Sequence, residues 1–380
     1  MVNIEKVDTG NKAQVERFIR LPYRLYKNNP NWVPPLDVDS YAQLNPAKHP
    51  FYEHSDVEFF LAVKDGRDVG RIAAIENRPF NKYHGSKEAE FYFFDSENDP
   101  EVAKALFDKV EDWALNRGLL SIVGPKGMGP LDGYGVLVMG HEQRQTMNML
   151  NYNHAYYQAL VEAQGYTKEV DFVSCYLPAD KFNIPERVLR IAERALQRGG
   201  LQVKQFKNKN EMLKWAPRIG QAYNDAFVRN WEYYPLTQRE IDFVVENIMT
   251  VADHRLIKII VHGEEVVGFL FAFYDVSAAM QRAKGKLFPF GLLDLLLEMR
   301  RTKTVSVNGI GILPEYQGHG GNAILYAEMG KTLLSFGQFK HVEMTQVAET
   351  TEQMRADLKN LNGVEYKNHR VYRKKLEPKP

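Results

Sequence analysis

One stretch of the chain, PEYQGHGGNA (residues 314–323), gathers residues that suit the binding of an anion. Gly318, Gly320 and Gly321 supply no side chain to pack and raise the entropy cost of ordering, so they belong where bare backbone is needed. An apolar-periodic run with Leu325, Met329 and Leu333 on one stripe follows, and after Glu315 no acidic or hydroxyl residue caps its start. Free N–H groups and the positive end of a helix dipole then face outward, an arrangement that suits a pyrophosphate. A flexible surface turn is the plainer alternative, with His319 as a solvated or phosphate-facing side chain.

Other stretches offer less. The segment GPKGMGPLDGYGVLVMG (residues 124–140) is glycine-rich, but Pro125 and Pro130 remove donors and no helix start follows, so it reads as turn structure, with a lid over a cleft as the alternative. HEQRQ at His141 lacks the second histidine of a zinc helix, and ten scattered histidines form no metal constellation. Tyr152, Tyr156 and Tyr157 in YNHAYYQAL read as helix packing or as the lining of a substrate cleft.

The elements that must position these residues come in two copies. NWVPPL from Asn31 and NWEYYPL from Asn230 share a motif; Gly66 and Gly263, Gly70 and Gly268, and Gly165 and Gly363 recur roughly 198 positions apart. FFLAVKDGRDVG and LIKIIVHGEEVVG each read as a β-hairpin. Each half runs strand, helices, hairpin, strand, long helix, strand, helix, strand, an α+β order with one sheet per half. The boundary is expected near residue 180, giving a first domain over 1–180, a linking helix over 181–200 between Pro185 and Gly199, and a second domain over 201–380. The long helices differ. The first has Asp99 as cap, Pro100 at its first position and Val102, Leu106, Val110 and Trp113 on one face, with Asp95, Glu97 and Glu101 crowding an end that would repel phosphate. The insertion at residues 278–303, basic at both ends and leucine-rich between, reads as a helical arm on its own domain, or as a lid or a surface for an acyl chain or membrane.

Composition narrows the classes. The 380 residues, 44% hydrophobic and 26% charged, can bury substantial cores. A net charge of +1 excludes bulk attraction to nucleic acid or anionic membranes. One cysteine, Cys175, excludes an intrachain disulfide framework and suits a reducing compartment. No run approaches the roughly 20 apolar residues of a membrane span, and no signal-peptide core opens the chain, so a cytoplasmic protein is expected.

The order strand, Gln-x-x-Gly, helix resembles the acetyl-CoA loop of the GNAT acyltransferase superfamily: Gln317 and Gly320 fit its first two fixed positions, while Asn322 departs from the third and Ala323 follows. The resemblance covers most of residues 200–376, and the first half resembles a second such unit that has lost the loop. It implies two tandem GNAT-like domains, each a mixed, mostly antiparallel sheet flanked by helices. It also implies acetyl-CoA or another acyl-CoA as cofactor, with pyrophosphate on Gln317, Gly318, His319, Gly320, Gly321, Asn322 and Ala323, and pantetheine along Ile310, Gly311, Ile312 and Leu313. A small-molecule or peptide amine would attack the thioester directly. The tyrosine that many members place before the helix-ending glycine is Lys359 here, so Tyr366 and Tyr372 become candidate donors and Glu343 a candidate base through water. Two rivals stand beside this N-acyltransferase: a non-catalytic CoA- or ligand-binding module, and a peptidyltransferase using aminoacyl-transfer RNA, helped only by the basic tail KNHRVYRKK.

Overall fold

The computed structural model describes residues 1–129, 132–147, 149–179, 184–248 and 252–377. Its strands are β1 (Val2–Lys6), β2 (Asp56–Lys64), β3 (Arg67–Glu76), β4 (Glu88–Ser96), β5 (Ser121–Gly124), β6 (Val136–Met139), β7 (Thr167–Pro178), β8 (Leu201–Lys204), β9 (Ile257–His262), β10 (Glu265–Tyr274), β11 (Thr304–Ile312), β12 (His341–Ala348) and β13 (Val364–Lys375). They form two compact units. The first comprises Met1–Val173, Ser277–Leu292 and Lys367–Pro380, and the second Ser174–Val276 and Leu293–Tyr366.

The units therefore follow tertiary packing and not the repeat of the sequence. Most of β13 belongs to the first unit, because Tyr372–Lys375 pair antiparallel with Gly124–Ser121 of β5 and Asn368–Arg370 with β6. The insertion begins in the first unit as well, contrary to an arm held by its own domain; it forms two helices, Ser277–Ala283 and Gly291–Arg301. The expected boundary near residue 180 lies outside the described residues. The linking helix runs over Glu186–Gln197 after Pro185, and Gly199 follows at φ 85°.

In the first unit the strand order is β1-β2-β3-β4-β5-β13-β7, and in the second β7-β12-β11-β10-β9-β8. Local chemistry sets the hairpins. Asp65 and Gly66 both take positive φ, 52° and 73°, between paired Lys64 and Arg67, the conformation that suits the right-handed strand twist. Gly263, at φ 63°, opens the corresponding turn between His262 and Glu265.

Each unit then repeats one distortion. The β3–β4 register shifts between Arg71–Asp95 and Ala73–Tyr92, and the β10–β11 register between Leu270–Ile310 and Ala272–Val307. The extra residue bends the longer strand. Phe93 occupies the positive-φ position at 52° in one copy and Gly309 at 115° in the other. Past the bulge the copies rejoin: Glu97 N–H donates to Val69 O, and Leu313 N–H to Val267 O, both at 2.9 Å. The long helices bury their predicted stripes, Val102, Leu106, Val110 and Trp113 over β3 in the first unit and Leu325, Met329 and Leu333 in the second.

Candidate functional site

The second unit presents a strand that parts from its neighbour and a helix whose start is uncapped. Strands β11 and β12 pair in parallel from Thr304–His341 to Val307–Met344, and beyond the bulge no ladder pair joins them among the described residues. Ile310, Gly311 and Ile312 stay paired with β10 on their other edge, so only one side of this backbone is released. Leu313 is already committed: its N–H donates to Val267 and its carbonyl accepts from Tyr316 N–H at 2.9 Å. The available strand edge is thus Ile310–Ile312, less the Ile312 carbonyl, which accepts from the Gln317 side chain. Gly311 lets a helix approach, since a Cβ there would stand 2.9 Å from Ala226 Cβ.

After β11 the chain makes a short turn, Pro314–Tyr316, and enters the glycine loop. The Gln317 side chain reaches back and donates to Ile312 O at 3.1 Å, fastening loop to strand. Gly318 and Gly320 adopt φ of 80° and 88°. A Cβ on Gly320 would lie 2.9 Å from Ala195 Cβ, and one on Gly321 would lie 2.8 Å from Ile312 Cδ1, so bare backbone is required there by packing. The helix Gly321–Phe336 has Gly320 as its cap residue and no side-chain cap bond, and its first described backbone bond is Ile324 N–H to Gly320 O at 3.1 Å. The amides of Gly318–Ala323 lie at the positive end of the helix dipole, where negative charge is favoured. His319 is exposed, and Asn322 donates to Asp357 Oδ2 at 3.0 Å, steadying the start of the helix.

Of the three residues considered for proton transfer, the structure unites two. Tyr366 donates its hydroxyl to Glu343 Oε1, and Glu343, only 2% exposed, sits on β12 opposite Ser306 of β11. Tyr372 belongs to the first unit, where its hydroxyl donates to Glu162 Oε1 at 3.0 Å. Three groups near the Glu343–Tyr366 pair were not anticipated. Ser306 Oγ and Asn308 Nδ2 are buried without a partner along β11, and Tyr176 packs its ring 6.1 Å from Tyr366 while its hydroxyl meets His341 Nδ1. The Asn308–Gly309 pair inside a strand pattern was the legible signal, because glycine there marks a bulge.

The first unit closes the same place. Ser96 N–H donates to Tyr157 Oη at 3.0 Å, and Tyr156 donates to Ser96 O at 2.8 Å, so the strand end is bound by the chain's own tyrosines. Tyr157 is 1% exposed and also meets Tyr26, itself hydrogen-bonded to Asp95 at 2.7 Å; burial, beside the Asp95 charge, pushes both phenols well up. Tyr152 donates to His141 O at 2.9 Å. Its helix start is sealed as well, with Asp99 accepting from Glu101 N–H at 2.9 Å and pairing with Lys64. In the glycine-rich segment, close approach explains the glycines: a Cβ on Gly127 would meet Asp132 at 2.2 Å, and Gly135 at φ 76° lies against the Arg370 backbone. Pro130 lies outside the described residues. Burial raises Asp132 to about 6 and lowers His369 to about 4. Three cations of the basic tail are paired within this unit: Arg370 with Asp171, Arg373 with Glu169 and Lys374 with Glu111. Among the described residues no group of His, Cys, Asp or Glu could hold a metal ion, and no helix is long and apolar enough to cross a membrane.

No protein-family model matches the chain. It is 32% identical over 374 residues to the bacterial ceramide synthase of Caulobacter vibrioides (strain NA1000 / CB15N), covering 96% of this chain and 95% of that protein. It is 25% identical over 371 residues to protein YghO of Escherichia coli (strain K12), covering 96% and 94%. In fold it is similar to a tandem GNAT protein from the clavulanic acid biosynthesis pathway, with a TM-score of 0.58 at 12% identity over 100% of both chains.

Proposed function

We propose that the second unit of this chain, which belongs to the family of its Caulobacter relative and has a tandem GNAT fold, is an acyl-CoA-dependent N-acyltransferase acting on a primary amine. The observation that carries this reading is the continuity of the released edge Ile310–Ile312 with the uncapped amides of Gly318–Ala323. Pyrophosphate would rest on those amides and the pantetheine arm would run along the strand edge, where a backbone N–H polarises the thioester carbonyl. The amine nitrogen attacks the carbonyl carbon, the C–N bond forms, the C–S bond breaks, and the thiolate departs. The nitrogen loses one proton to Glu343 through water, and the thiolate gains one from Tyr366, whose hydroxyl already points at Glu343.

A ceramide is the amide of a fatty acid and a long-chain amino alcohol. The name of the Caulobacter relative therefore supports lipid amines as acceptors and long acyl-CoAs beside acetyl-CoA as donors. The pairing of the tail's arginines with acidic neighbours counts against the transfer-RNA alternative.

Calorimetric titration with acetyl-CoA and long-chain acyl-CoAs tests the reading. Gly320→Asp is a poor probe, because φ 88° and the Ala195 contact would disturb the fold. His319→Glu adds a carboxylate on an exposed side chain instead. One equivalent is expected to bind wild type, with affinity about tenfold lower in the variant and an unchanged melting temperature. Mass spectrometry after incubation with simple and long-chain amines then looks for the amide. Absence of any CoA binding overturns the reading; binding without consumption leaves the non-catalytic module.

A further inference from the structure

Phe288 and Phe290 are each 75% exposed, more than any other large apolar side chain described except Met1. Phe18, Phe59 and Phe60, by contrast, are no more than 1% exposed. The exposed pair stands on a firm base. Asp37 N–H donates to Gly285 O at 2.7 Å, Gly285 at φ 85° fits against Tyr23 and Asp37, and Gln281 donates to Pro30 O and Trp32 O at 2.8 and 2.9 Å. Leu292 N–H then closes on Leu287 O at 2.7 Å. In the helix Gly291–Arg301, Leu295 is buried, while Leu293 and Leu296 are 57% and 46% exposed and share a face with Arg300.

Charge identifies what this surface fits. Residues 282–303 carry six basic side chains against Asp294 and Glu298, in a chain whose net charge is only +1. Arg282, Lys284 and Lys286 precede the phenylalanines, all exposed. A second copy is disfavoured, since a two-fold contact would lay this positive patch on itself. Apolar tips rimmed by lysine and arginine match the boundary between acyl chains and anionic headgroups.

We infer that residues 284–290 form an interfacial anchor that seats Phe288 and Phe290 in the surface of an anionic bilayer, with Lys284 and Lys286 at the level of the lipid phosphates. The inference stands apart from the acyltransfer chemistry, since it rests on a surface that contains none of the residues assigned to CoA.

Flotation of the full chain with phosphatidylglycerol–phosphatidylcholine vesicles, and with phosphatidylcholine alone, tests it. Wild type is expected to float with the anionic vesicles, with partitioning at least tenfold weaker on neutral ones. Phe288→Ser with Phe290→Ser should reduce partitioning on anionic vesicles at least tenfold, and Lys284→Glu with Lys286→Glu about fivefold for each lysine. Both variants should melt as wild type does, because these side chains are exposed. Failure of wild type to float, or flotation that survives the double serine variant, overturns the anchor. So does a wild-type dimer by sedimentation velocity that the serine variant converts to monomer.

Discussion

Ser96 and Ile312 occupy the same place in the two copies of the fold, opposite Gly70 and Gly268 and one residue before the matching bond to Val69 or Val267. Around Ser96 the backbone is satisfied by Tyr156 and Tyr157, and the next helix is capped by Asp99. Around Ile312 the strand edge is released, a glutamine braces the loop, and the helix starts on a left-handed glycine. The bulge and hairpin are common to both. What separates a sealed scaffold from an open one is a few residues in connections, which can change without altering the sheet.

The comparison breaks first at Glu343, which the closed copy does not need. Glu343→Gln keeps the size of the side chain and an acceptor for Tyr366. Turnover of an amine substrate is expected to fall about a hundredfold or more while acyl-CoA affinity holds within about twofold, read by steady-state rates beside titration calorimetry. An equal loss of binding would mean that Glu343 only supports the fold.

Acid should separate the units next. Burial holds His369 at about 4 against its usual 6.5, so its contribution to stability is complete above 6.5 and is lost as pH falls toward 4, where the unfolded chain binds the proton first. The loss is about 3 kcal/mol. Asp132, raised to about 6 by burial, acts in the opposite sense, contributing most below the ordinary carboxylate range and losing that contribution as pH rises through 6. Over pH 6.5 to 4 Asp132 therefore offsets His369 within the first unit, and His369→Gln should leave that unit's amides better protected at pH 4, relative to pH 6.5, than they are in wild type, read by hydrogen exchange.

Two smaller changes sharpen the contrast within the first unit. Tyr157→Phe removes the partner of Ser96 N–H and is expected to lower stability by about 1–3 kcal/mol. Asp99→Ala removes the helix cap for about 1 kcal/mol. Denaturant titration measures both. Neither should add a second equivalent of bound acyl-CoA, because Tyr156 still holds Ser96 O in the one and Glu97 and Glu101 still crowd the helix start in the other; a second equivalent would show that one side chain alone keeps the first copy shut.

The sequence by itself carried whatever rests on neighbouring residues. The Asp65-Gly66 and Gly263 turns, the Asp99-Pro100 helix start, the buried stripes of both long helices and the uncapped glycine loop were all legible, because backbone preference and hydrophobic period act within a few positions. So was the duplication, through glycines that recur where positive φ or close packing demands them, although the left-handed residue before β13 is Asn362 at φ 60° and not Gly363. Tertiary structure decided the rest. Tyr366 and Tyr372 lie six residues apart, about 20 Å along a strand, so one site could use only one of them; the pairing of β13 with β5 and β6 assigns Tyr372 to the first unit. The burial of Tyr157 against Asp95, the pairing of the basic tail, and the exposure of Phe288 and Phe290 likewise depend on partners distant in sequence. A residue's type says what it can bond or bury, but only the folded chain supplies or withholds the partner.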